Sequence, residues 1–388
     1  MNMRFASGFS LLGALAVGLC AMPRPACAQS APIDDPAVSV LINTAHTGAA
    51  HFAKTPFLPP YKIHWTVDLN GAISYPLIVG GRVFATAGKP NSPNGTELYA
   101  LDAATGKVLW GPVAITGTYF WSYPAYDAGK VFVLNFDGLL QAFSEVDGRL
   151  AWSQKMPGQY AFSAPPTAQA GTVYVGGAGV GGTLYAVDEA TGTVKWTKGV
   201  ANGDDSAPTL GDSGVVVSYP CQVYDFAADT GEALWHYSGA CEGGGGATAN
   251  FYNHQFYVRD WSSSLNGSVL DSKTGKIKAR IADMGSSPPA FGFRNLFYVA
   301  KGALIARSNT TRTLQWKFSG DGTIVTAPIL VNNTVFVGSS SGNLYALAGG
   351  RGALLQTLPL NAGAIGGMSA GEGLLVAALG NKLVAVGK

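Results

Sequence analysis

Charge is what this 388-residue sequence has least of. Only 12% of its residues are Asp, Glu, Lys or Arg, against about 25% in an ordinary soluble chain. Lys plus Arg number 25 and Asp plus Glu 23; without Arg4 and Arg24 the two signs balance, which leaves no electrostatic footprint for nucleic acid. Cysteines number four and histidines five. No Cys-x-x-Cys-His run is present for a c-type haem, and no His-Glu-x-x-His for a helical metal site. The glycine-rich tract 177–182 lacks the Lys-Ser/Thr and following helix of a phosphate loop. No Gly-x-Ser-x-Gly elbow joins a strand to a helix. Asp147, Asp188 and Asp229 recur in turns, where backbone hydrogen bonding accounts for them. No segment sustains a 3.6-residue apolar period, and no apolar run reaches the roughly 20 residues that span a bilayer.

Residues 1–28 read as a secretory leader: Arg4, the apolar run Phe9 to Cys20, then Ala26-Cys27-Ala28 as a small-x-small cleavage pattern. Neither Cys20, preceded by Leu19, nor Cys27, with Arg24 three before it, fits a lipidation site. The sequence therefore predicts a periplasmic or secreted bacterial protein with no transmembrane segment after cleavage. Cys221 and Cys241 remain, an even pair suited to a disulfide in an oxidising compartment.

What the chain has in quantity is repetition. Gly106 to Trp110, a glycine with a tryptophan four residues later, recurs at Gly148/Trp152, Gly192/Trp196 and Gly231/Trp235. It degrades to Gly275/Ala279, Arg312/Trp316 and Gly352/Gln356, and Trp65 adds a further copy. Six of the eight tryptophans (Trp65, Trp110, Trp152, Trp196, Trp235 and Trp316) share this register. A second register opens each unit: Ser74, Ser122, Ser163, Ser206, Ser287 and Thr326, each two residues before a proline, with weakened copies at Ala247 and Gly366. Four short β-rich segments divided by Gly, Asn and Ser fill each unit. Such units, about 40 residues long, are propeller blades. The expectation is an all-β, eight-bladed β-propeller of four-stranded antiparallel blades over 58–388, with 29–57 as a mostly irregular N-terminal extension. The last unit lacks its outer strand, and Lys62 to Leu69 is a spare one, so the N-terminal strand should close the ring. The six tryptophans should pack between blades. Cys221, in the second-to-third loop of the fourth blade, and Cys241, in that blade's exit link, fall on one rim, which favours their disulfide. Tyr119, Phe120, Trp121, Tyr160, Phe162 and Trp261 fall on the same rim as candidates for a binding patch.

The segments LYALDAATGKVLW at 98–110, LYAVDEATGTVKW at 184–196 and FVGSSSGNLYAL at 336–347 resemble the repeats of pyrroloquinoline-quinone-type eight-bladed propellers, over residues 63–388. That superfamily holds quinoprotein alcohol and glucose dehydrogenases and BamB-like exported propellers that are not enzymes. The dehydrogenase branch implies a quinone beneath a vicinal Cys-Cys disulfide, long inserted loops, and calcium held by Glu, Asn and Asp. Here the mature cysteines are 20 apart, the blades are compact, and Asp204, Asp205, Glu242 and Asn250 make no matching triplet. The reading is thus a non-catalytic binding or scaffolding module for an envelope or extracellular protein or a surface polymer. It should be a monomer needing no resident cofactor. The alternative is a small quinone-dependent oxidoreductase using PQQ and calcium.

Overall fold

The computed structural model describes residues 33–90, 92, 94–119, 121–179, 181–201, 206–212, 214–219, 222–239, 247–259, 266–284 and 287–388. The leader, Phe120, Trp261 and both Cys221 and Cys241 lie outside the described residues. The strands form eight sheets around one axis. Blade 1 spans Leu77–Val79, Arg82–Gly88, Thr96–Asp102 and Val108–Ile115. Blade 2 starts at Ser122, blade 3 at Thr167, blade 4 at Thr209, blade 5 at Asn250, blade 6 at Ala290 and blade 7 at Ile329. Blade 8 combines Gly367–Gly371, Leu374–Leu379 and Lys382–Gly387 with the N-terminal strand Lys62–Asp68 outside them. Lys62 pairs with Gly387 and Asp68 with Lys382, antiparallel. The ring is closed by the chain's own beginning.

Burial follows strand position. Second strands such as Thr334–Gly338 are buried on both faces and read as unbroken apolar runs. Outer strands such as Leu150–Lys155 are half exposed. The apolar core therefore lies between blades: Phe132 of blade 2 clusters with Val173 and Tyr185 of blade 3.

The glycine and tryptophan of the repeat meet across six of the eight junctions. Trp65 lies on Gly106 of blade 1 and Trp110 on Gly148 of blade 2; a Cβ on either glycine would come within 2.7 Å of the ring. These glycines also hold φ of 73° and 69° in the third-to-fourth turn, a region only glycine enters freely. The indole N–H then donates to a carbonyl of the next blade: Trp65 to Ala103, Trp110 to Glu145 and Trp152 to Glu189, each at 2.9 Å, and likewise Trp235 to Ser272 and Trp316 to Gly349. Trp196 rests on Gly231 in the same way. In every outer strand the register slips at the residue just before the tryptophan position. This repeated β-bulge turns the side chain toward its neighbour.

The two halves of the motif are lost together. Blade 5 carries Ala279 in place of tryptophan, and blade 6 carries Arg312 (φ 61°) in place of glycine. With no indole to receive, Arg312 donates to Gln255 at 2.8 Å and lies over the Tyr257 ring. The serine register has its own task. The Ser74, Ser206, Ser287 and Thr326 hydroxyls each accept the N–H twelve residues on, pinning the blade start to its second strand.

The extension, mostly irregular as expected over its described residues, is nevertheless tied to the ring. Residues 35–50 cross the lower mouth of the ring, where each first strand turns into its second. First strands are edges whose free N–H groups face the axis. The extension's carbonyls take them up in turn: Val38 from Tyr126, Thr44 from Leu210, Ala45 from Phe251, Thr47 from Phe291 and Gly48 from Leu330. Ala37 exchanges both backbone bonds with Ile78, Asp35 accepts from Glu372, and Thr44 bonds Gln169, so all eight blades are reached. His46 at the centre is buried. Its ring lies 3.1 Å from the Thr209 hydroxyl, and its carbonyl accepts from Asn250. Burial pulls this imidazole down to about 3.

Candidate functional site: the axial cavity and its upper rim

Above this plug lies a cavity of about 400 Å³, floored by Val40 and Leu41 and walled by six blades, with Ile73, Ser74, Tyr75, Tyr123, Thr248, Pro288, Ala327 and Met368 among its lining. Tyr75 and Tyr123 stack nearly parallel, centroids 6.1 Å apart. The Tyr75 hydroxyl donates to the Pro124 carbonyl, and burial holds its proton well above the ordinary tyrosine range. Thr248 accepts from the Ala207 N–H. Arg259, at the upper end of the second strand of blade 5, is the one charged residue among the described lining. Its Nε is buried with no hydrogen-bond partner, and burial pulls the guanidinium down to about 10.

The rim residues separate. Tyr119 and Trp121 lie 5.1 Å apart with Phe136 between them, 4.1 and 5.4 Å from the two rings. Tyr119 is 41% and Tyr160 68% exposed. Phe162 departs from the expected rim position. It is wholly buried, wedged against Gly138 and Gly177, where a Cβ would come within 2.2 and 2.4 Å of its ring. Asn250 is spent on the plug rather than free for a metal. The histidines do not meet: His236 stacks on Tyr224, and His254 pairs with Asp212 at 2.8 Å.

A larger cavity, about 510 Å³, opens on the lower side between blades 3 and 4. Its lysine, Lys195, donates to Thr172, and its Asp212 accepts from Ser272 as well as His254. Its best-placed charges are thus already satisfied, unlike Arg259.

Calcium takes six to eight oxygen ligands, carboxylates among them. Among the described residues the axial lining offers none, and no three His, Cys, Asp or Glu side chains converge as a metal site. The described residues do not fit the calcium half of a quinone–calcium pair.

A family model described as "Outer membrane protein assembly factor BamB" matches residues 62–179, 137–283 and 261–387. Among curated proteins, the dehydrogenase subunit of a quinone alcohol dehydrogenase from Gluconobacter oxydans is 33% identical over 160 residues, 35% of this chain and only 20% of that subunit. The assembly factor BamB of Bordetella pertussis is 27% identical over 290 residues, 71% of this chain and 63% of that protein. Among solved structures, a europium-containing methanol dehydrogenase superposes with a TM-score of 0.70 at 14% identity, covering 92% of this chain and 99% of that one. At that identity the likeness shows the fold.

Proposed function

The chain belongs to the PQQ-type β-propeller family described by the BamB assembly factor, and on that footing we propose that it is an exported, non-catalytic binding module. Its partner is an envelope or extracellular protein or a surface polymer. The observation that carries this reading is the contrast between the two mouths. The lower is filled by the chain's own residues 35–50, while the upper carries exposed aromatic side chains at Tyr119 and Tyr160. Aromatics of this kind supply much of the energy at protein and glycan contacts. Among the described residues no helix is long and apolar enough to cross a membrane. The module acts as a monomer in the periplasm or outside the cell, with no resident cofactor.

The test is a triple variant, Tyr119→Ser, Trp121→Ser and Tyr160→Ser, used against purified envelope fractions and peptidoglycan. Loss of a saturable interaction with unchanged melting supports the reading. An interaction that survives all three substitutions overturns it. A quinone oxidoreductase is the second reading, supported by the matched stretch of the alcohol dehydrogenase subunit. Titration with pyrroloquinoline quinone and calcium, followed by an alcohol oxidation assay with an artificial acceptor, separates the two. Stoichiometric uptake with turnover favours the oxidoreductase.

A further inference from the structure

The eight blades offer a controlled comparison at the residue twelve positions after each blade start. That position holds Thr86, Leu134, Val175, Ser218, Val299, Gly338 and Ala378 in seven blades and Arg259 in the fifth. In four of the others the N–H of this residue bonds a Ser or Thr hydroxyl at the blade start. Blade 5 has Ala247 there. One blade has given up a structural clasp and placed a cation on the axis.

The surroundings leave that cation unanswered. No carboxylate is among the described lining residues, and no described group accepts from the guanidinium Nε. A half-buried cation whose Nε is buried without a partner costs stability, and an apolar side chain would avoid that cost. We propose that the axial cavity is a binding site for a small organic carboxylate, with Arg259 as its anchor. The planar guanidinium fork matches a carboxylate's two oxygens in a bidentate pair. One cation balances one negative charge, so a monoanion fits better than phosphate, which would bring a second charge with no partner among the described lining. Val40, Leu41 and the stacked Tyr75–Tyr123 pair suit the apolar body of such an acid. The site stands whether or not the rim above it docks a partner.

Benzoate and hexanoate serve as probes, with benzyl alcohol and inorganic phosphate as controls at constant ionic strength, all read by calorimetry on the full mature chain. At least one acid should bind 1:1 at millimolar or lower concentration, with the controls at least about tenfold weaker. Arg259→Met should weaken that binding by at least about tenfold and raise the melting temperature of the ligand-free protein. Arg259→Lys should keep part of the affinity and shows whether loss in the methionine variant follows charge. Three results would overturn the proposal: neither acid binding, equal binding by Arg259→Met, or a ligand-free Arg259→Met that melts below wild type.

Discussion

The two mouths of this ring are built from the same eight repeats and end in opposite states. At the lower mouth residues 35–50 bond all eight blades, seven of them through backbone carbonyls, and the one ionisable group at its centre, His46, is kept neutral by burial. At the upper end, the buried Nε of Arg259 has no partner among the described residues and tyrosines stand in solvent. The difference teaches where stability and function sit. A saturated mouth contributes to folding; an unsaturated one retains its capacity for something outside the chain.

The contrast can be broken most forcefully in the extension that carries the plug. Phe52 is buried, with its ring 5.2 Å from Phe57. Phe52→Ala should cost about 3–5 kcal/mol in chemical denaturation, whereas Tyr160→Ser on the upper rim should stay within about 0.5 kcal/mol. Equal effects would erase the distinction.

The next effect is one of pH. His46 is held at about 3 in the fold against an ordinary 6.5, so the unfolded chain takes up a proton first. Stability is then complete above about pH 6.5 and falls on acidification toward 3, by up to about 1.4 kcal/mol per pH unit. His46→Gln should flatten this slope. Asp225 works in the opposite sense: burial, with Asp212 adding to it, pushes its carboxyl up to about 8. Its contribution is present below about 3.8 and fades as pH rises to 8. Asp225→Asn should therefore stabilise the protein at pH 8 and do little at pH 4, and it provides the background in which the His46 slope is read cleanly.

The smallest expected effect is at the rim cluster. Tyr119→Phe removes only a hydroxyl from a half-exposed ring, and the melting temperature should not move. A large shift in a thermal scan would mean that the cluster belongs to the blade core instead.

Much of this architecture was legible in the sequence because repetition amplifies weak signals. One Gly-x-x-x-Trp is unremarkable; its recurrence marks the turn, the outer strand and the junction at once. The spare strand Lys62–Asp68 was legible for the same reason, since a count of strands exposes the missing one. What escaped were features without a repeat. The plug has no periodicity, and its contacts are backbone carbonyls that any residue could supply. Phe162 was misplaced because its register with Gly138 and Gly177 decides which way it faces. Arg259 did leave a trace, as the one charge in its register, but the trace is visible only when the blades are aligned against one another.

Hydrogen–deuterium exchange of the peptide spanning residues 35–50 tests the central claim most directly. If these residues complete the lower mouth, the amides of Ala37, Val38, Ile42, His46 and Gly48, all bonded to backbone carbonyls, should exchange as slowly as the second strands of the blades. Exchange within seconds, as from an untethered leading segment, would contradict the account.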